Sequence, residues 1–373
     1  MTSSTDVLAV NTIRGYAEGG KHGLPLLKVA ELPGKGRGFV ATQRIPAGAY
    51  LHTAEPLAAV VSQEWIQETC AWCFAFSYPK RMRVKSEVKD INFCSEKCKQ
   101  ECQAEDAWQL FVKAMQGLER EFQKRIDTCR YNDDVDDINI AVEPAEASND
   151  DCVFLDEAWT NGVQTLSSLH WVPQNADRTM CRLIAYCLAK KQAGERLVFP
   201  DATEFSQVWQ IQCNELAHFH RVYQKQDGKI PLEIMDIMLM YIYFAKSVAG
   251  ILDCPHALFR AVYFREMSNS FGIWENAEVS DVVSDDQELL GWGIYPSAVY
   301  FNHSCDANVI KLRKGRSLQF IAKHEISPGQ EACISYGSVG EDVKERRQRL
   351  KEHYHFFCAC TRCKAEDNDD ELE

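Results

Sequence analysis

The arrangement of the cysteines constrains this chain more than any other feature. Of sixteen, four stand as Cys70-x2-Cys73 and Cys94-x3-Cys98, and three more crowd into Cys358-x-Cys360-x2-Cys363. Residues 65–105 hold five cysteines and six aromatic residues, too short a piece to own a core without a cross-link. That cross-link is either disulfide or metal. The N-terminal MTSSTDVLAVNTIRGY has no basic stretch followed by a long apolar run, so it reads as neither a secretory signal nor a transit peptide. An intracellular location is expected, nucleus and/or cytoplasm, where disulfides are rare and metal is the better reading. The four thiolates Cys70, Cys73, Cys94 and Cys98 are spaced for one tetrahedral Zn²⁺. Cys358, Cys360 and Cys363 supply three ligands of a second site.

An apolar content of 46% predicts a globular protein, and a formal net charge of −13 argues against a general phosphate-binding surface. No direct sequence-specific nucleic-acid binding is expected; a basic protein partner suits the charge better. The most apolar stretch, Ile230 to Leu252, is interrupted by Glu233, Asp236 and Lys246 and reads as a buried helix, with no membrane association. Alternation around Pro33-Gly34 and Pro46-Ala47-Gly48 predicts strands over 24–62. Phe111, Met115, Leu118, Phe122 and Ile126 predict an amphipathic helix over 106–129, and further helical patterns run through 178–193, 203–224, 231–251 and 255–267. Between Tyr131 and Asp177 there is no Lys or Arg while acids accumulate; the segment reads as a solvated loop or as an attractor for a basic substrate. Strand-and-turn patterning is expected again at 294–302, 318–322 and 332–336, then a charged helix at 340–353. The acidic tail 366–373 is expected to be disordered.

Gly34-Lys35-Gly36-Arg37-Gly38 lacks the Lys-Ser/Thr of a P-loop and the dinucleotide fingerprint. It is either a plain β-turn or a place where bare backbone approaches a ligand. Asn302-His303-Ser304-Cys305 follows, with Asn308 three residues on from the cysteine, and then Ile334-Ser335-Tyr336-Gly337. These three motifs, in this order, resemble those of SET-domain lysine methyltransferases. With a cysteine-rich finger and a helical block set between the first sheet and the NHSC motif, the chain resembles the SET-and-MYND subfamily. It looks like a short fungal member without the C-terminal helical-repeat domain.

The resemblance implies an α+β fold of small curved sheets whose C-terminal part forms a pseudoknot. Its parts would be an N-terminal sheet (24–64), a degenerate MYND-like finger (65–105), a helical insert (106–254), a catalytic core (255–337), a post-SET zinc segment (338–365) and the tail. It implies S-adenosylmethionine as cofactor, two structural zinc sites, and a protein substrate with an accessible lysine, such as a basic histone tail. The family pattern gives Cys305 as the fourth ligand beside Cys358, Cys360 and Cys363. It puts Lys35, Gly36, Arg37, Asn269, Asn302, His303, Tyr354 and Phe356 at the cofactor, and makes Tyr336 the catalytic tyrosine. His303 could equally be a hydrogen-bonded core histidine, and Tyr295 and Tyr300 either core or pocket residues. Residues 74–93 contain no Cys or His, so the second zinc usual in MYND fingers is expected to be absent, and Cys102 has no assigned role. The rival reading is a weak or inactive scaffold for protein–protein interaction.

Overall fold

In the computed structural model the chain turns back at Pro33-Gly34. There β1 (Leu27–Leu32) pairs antiparallel with β2 (Gly36–Ala41), in register from Leu27↔Ala41 to Leu32↔Gly36. The turn needs φ of +72° at Gly34 and +71° at Gly36, the left-handed region in which glycine is unstrained. The structure describes residues 26–129, 151–194, 215, 232–275 and 287–369.

The next two strands pair with distant parts of the chain. β3 (Tyr50–Ala54) lies beside β11 (Ser317–Ala322), which forms a hairpin with β10 (Val309–Lys314). β4 (Ala58–Val61) pairs with β8 (Leu289–Ile294), whose other edge takes β7 (Ser270–Trp274). Residues 62–269 are therefore an insertion between two strands of one sheet. A third long-range pairing, parallel, sets β9 (Asn302–His303) against β12 (Cys333–Ile334). The expected strand-and-turn stretch 294–302 is the end of β8, two turns and the start of β9. β8 stops at Ile294, and Tyr295, Ala298 and Phe301, at most 1% exposed, recur every third residue through two turns. That period is incompatible with the two-residue alternation of a strand.

The insertion begins with the finger, a short hairpin of β5 (Val84–Lys85) and β6 (Asn92–Phe93) followed by α1 (Glu96–Gln103). Ser95 Oγ caps that helix by accepting from the Cys98 N–H at 3.2 Å, which fixes the first turn that carries Cys98. Five helices follow among the described residues: α2 (Trp108–Cys129), α3 (Asp151–Leu166), α4 (Asn175–Ala193), α5 (Leu232–Val248) and α6 (His256–Asn269). α2 and α5 cross so closely that a Cβ at Gly117 would lie 2.0 Å from the Ser247 carbonyl oxygen. The nearby Tyr243 hydroxyl donates to the Leu118 carbonyl at 2.7 Å.

α3 corrects the expectation of a solvated loop over 131–177. Leu155, Ala158, Trp159 and Leu166 are buried at helical spacing, and the apolar stripe outweighs the acidic residues beside it. The acidic residues 131–150 and most of the helical pattern 203–224 lie outside the described residues. After the core come α7 (Val343–Tyr354) and α8 (Thr361–Asp369). α8 corrects the expectation of disorder from residue 366 onward, because Glu366 pairs with Arg346 and Arg362; residues 370–373 lie outside the described ones. No helix among the described residues is long and apolar enough to cross a membrane.

Candidate active site

The parallel pair β9/β12 brings the NHSC motif alongside the second motif, Cys333 facing Asn302 and Ile334 facing His303. Asn308 fastens the two from the side. Its Nδ2 donates to the Glu331 carbonyl at 2.9 Å and its Oδ1 accepts from the Cys333 N–H at 2.8 Å. The glycine-rich turn joins them through a carboxylate. Glu331 accepts from the Asn302 amide at 2.8 Å and pairs with Lys35, while the same amide reaches the Arg37 carbonyl at 3.3 Å. Partial burial would lower the Lys35 pKa, but the Glu331 hydrogen bond and charge outweigh it and hold the ammonium above its ordinary value. A Cβ at Gly38 would sit 2.5 Å from Asn302 Nδ2, so this glycine is required by close approach. At Gly34 and Gly36 a Cβ would meet nothing within 4 Å, and that side of the turn is open.

An aromatic group lies on the other side of β9. Tyr336 packs tilted against Tyr354 at 4.8 Å between ring centroids, with His303 at 5.3 Å and Phe356 at 6.4 Å. The Tyr336 hydroxyl donates to the Phe301 carbonyl at 3.0 Å. Burial first, and then the groups around it, push its phenol well above the usual range, so the ring stays neutral and keeps its O–H. His303 is 6% exposed and engaged at both ring nitrogens. Nδ1 accepts from the Tyr336 N–H at 3.1 Å, and Nε2 lies 3.2 Å from the Cys305 sulfur. A neutral ring that accepts at Nδ1 carries its proton on Nε2, directed at that sulfur.

Cys305, Cys358, Cys360 and Cys363 form one group of sulfurs, all within 4.8 Å of one another, and Cys70, Cys73, Cys94 and Cys98 form another. Each group could hold a metal ion. Arg346, 1% exposed, points Nη2 at the Cys363 sulfur from 3.5 Å and pairs with Glu366, a cation placed where four thiolates would leave excess negative charge. Arg347 adds bonds to the Cys358 and Cys363 carbonyls at 3.0 and 3.4 Å.

The family model described as the SET domain matches residues 36–337, more than half of the chain. This chain belongs to the SET-domain family. The SET-domain protein is 25% identical over 373 residues to the Saccharomyces cerevisiae "Potential protein lysine methyltransferase SET6", covering 92% of this chain and 96% of that one. It is 24% identical over 344 residues to the Gallus gallus N-lysine methyltransferase SMYD2, covering 91% of this chain and 60% of that protein. A SET and MYND domain-containing protein of Dictyostelium discoideum is 31% identical over 109 residues, covering 29% of this chain and 26% of its own length. The chain thus spans nearly the whole yeast relative and about three-fifths of SMYD2.

In this SET-domain protein, Lys35 and Asn302 meet at Glu331, Arg37 joins them through its carbonyl while its guanidinium lies over Tyr300, and His303, Tyr336, Tyr354 and Phe356 meet as rings. Asn269 ends α6, where its amide donates to the Arg265 carbonyl one turn back at 2.8 Å. Tyr295 is a core residue, fully buried with its hydroxyl on the Arg316 carbonyl at 2.7 Å. Tyr300 is half-buried beneath Arg37 and beside Phe39. Sequence reasoning missed Glu331 and Arg346. Glu331 left one signal, being the sole carboxylate between Glu325 and Glu341.

Proposed function

We propose that this chain is a protein-lysine N-methyltransferase that moves a methyl group from S-adenosylmethionine to the side-chain amine of a lysine in a protein substrate. The observation that carries the reading is the convergence of three separated motifs on one locus, joined by Glu331 and by His303. The donor set suits the cofactor: an open left-handed turn, a cation, a carboxylate, an amide and a wall of rings lie together. Lys35, Gly36, Arg37 and Asn302 would hold its polar part, and Tyr354 and Phe356 its adenine. His303, with both ring nitrogens engaged, is left with its backbone and ring face for this. Asn269 would reach the same locus from the end of α6.

When bound, S-adenosylmethionine supplies a methyl carbon activated by its sulfonium. The chain's own residues supply alignment, worth about 7–11 kcal/mol of a barrier when reacting atoms are well oriented. The apolar rings of Tyr336, Tyr354 and Phe356 disfavour an ammonium and so favour the neutral amine nucleophile. The Tyr336 hydroxyl, neutral and anchored on the Phe301 carbonyl, orients the reacting groups. Two zinc ions fit the two cysteine groups. Four thiolates leave no open coordination position, so both would be structural. The substrate class that suits a net charge of −13 is a basic segment such as a histone tail.

Calorimetric titration of the purified protein with S-adenosylmethionine, beside a zinc count, tests the reading. Binding that disappears in Asn302→Ala is the expected result. A folded, zinc-loaded protein that binds no cofactor would favour the scaffold reading instead. Tyr336→Phe should lower methyl transfer by roughly 10²-fold while cofactor binding persists; loss of both together would indicate misfolding.

A further inference from the structure

The finger carries a surface that takes no part in the site above. Phe76 and Tyr78 lie near-parallel, with 12° between their ring planes and 6.3 Å between centroids, and Trp65 stands edge-on to both at 5.3 and 5.7 Å. Tyr78 is 64% exposed, more than any other large apolar side chain among the described residues. Two rings thus support a third that is left in water, although an aromatic ring gains most by being covered.

From there the chain runs Lys80-Arg81-Met82-Arg83-Val84-Lys85. Met82 is buried and Val84 half-buried, while Arg81, Arg83 and Lys85 are exposed. This two-residue alternation lines the three cations along one side, about 7 Å apart. Lys80, Arg81 and Arg83 have no ion pair among the described residues, and Lys85 reaches the Gln67 amide oxygen at 3.4 Å. Lys89 and Lys97, farther on, are paired with Glu119 and Glu101. Residues 78–86 hold four cations and no acid in a chain whose net charge is −13; Glu68 and Glu87 stand outside that run on either side.

The cations select a polyanion and the ring selects which one. An acidic peptide would engage the cations and leave Tyr78 in water, and a DNA duplex keeps its bases stacked inside. A single strand offers regularly spaced phosphates together with unpaired bases, each with a π-face to stack on a ring. RNA is the nucleic acid that presents such bases, in its loops, bulges and ends.

We propose that this face of the finger binds single-stranded RNA without reading its sequence, one base stacking on Tyr78 and the adjoining phosphates meeting Arg81, Arg83 and Lys85. The net charge confines the contact to a short segment, because phosphates beyond the strip meet a surface of their own sign. The surface is independent of the methyl-transfer reading.

Fluorescence anisotropy of a short labelled oligouridylate, titrated with the zinc-loaded full chain at low salt, tests this. Binding in the micromolar range is expected, weakening as salt rises. Tyr78→Ala should weaken it roughly tenfold, and Tyr78→Phe, which keeps the ring, should bind like the parent. Arg81→Ala combined with Arg83→Ala should reduce the slope of log affinity against log salt by about 1.4. Zinc content should match the parent in every variant. No binding by the zinc-loaded chain overturns the proposal, as does undiminished binding by Tyr78→Ala. So does an oligoglutamate peptide or a DNA duplex that competes as well as the RNA, or an oligodeoxyuridylate that binds more tightly. If Tyr78→Ala loses its zinc, the arginine pair and the competitors decide.

Discussion

The two four-cysteine groups use the same ligands but are tied to the protein in opposite ways. In the finger, Cys70, Cys73, Cys94 and Cys98 come from one short stretch, and Cys94 is exposed. In the C-terminal group, Cys305 lies just past β9, the strand of Asn302 and His303, while its three partners lie beyond α7; Cys305, Cys358 and Cys363 are all buried. The first group closes a local loop and makes a small module stand. The second joins segments 53 residues apart, Cys305 to Cys358, and so holds Tyr354 and Phe356 against Tyr336. Cluster chemistry is the same in both, and connectivity decides which one the active site depends on.

Cys360→Ser should break the comparison most sharply. Metal analysis should find one zinc lost, and methyl transfer should fall on the order of 10²-fold, because rings displaced by about 1 Å misalign the reacting groups. An unchanged rate with one zinc missing would sink the C-terminal assignment.

Glu266 tests the same side through pH. It is 5% exposed in α6 and its charge bears on Tyr354; burial, opposed by a Ser270 hydrogen bond, raises its carboxyl from 4.5 to about 7. The folded state therefore binds the proton more tightly than the unfolded one, and stability is lost as pH rises from about 4.5 through about 7. Glu266→Gln should be more stable than the parent by about 2–3 kcal/mol at pH 8 and equal to it near pH 4. Equal denaturant midpoints at both pH values would refute this.

Arg346→Met should cost about 2 kcal/mol, since it removes a charged hydrogen bond to Glu366 and the cation beside Cys363. Urea unfolding with the zinc content held constant measures it. The smallest effect is expected for Cys94→Ser: its zinc should be lost while the methyl-transfer rate on a free peptide stays near that of the parent. A large fall in rate would mean that the finger, too, is coupled to the catalytic centre.

The sequence made the ligands legible and left their supports hidden. Cysteine spacing is a chemical signature, because a tetrahedral ion demands it, and Gly34 and Gly36 announce a turn because left-handed backbone demands them. Glu331 and Arg346 have no such signature: an acid before an apolar strand and an arginine in a charged helix look like solvated residues until the fold buries them. α3 was obscured by its acidic neighbours, although Leu155, Ala158, Trp159 and Leu166 carry the helical period. The 295–301 turns carry a signal of their own in Pro296-Ser297, but the apolar residues around it do not tell a period of three from a period of two.

Ile294 faces Ala58 across one edge of β8 and Ser270 across the other. The chain thus leaves the sheet after Val61, opposite Gly291, and re-enters it at Ser270, opposite Ile294, two strand spacings across and three residues along, about 14 Å in all. The finger and the helical block are an excursion with both its ends pinned on β8. Closing such an excursion becomes only slowly harder as it lengthens, so its size is nearly free of the geometry of the catalytic strands. Lengthening or trimming its outer parts, with α6 and its Asn269 kept, is expected to leave the register of β4, β8 and β7 intact, so the outer surface can vary without moving the residues proposed to act.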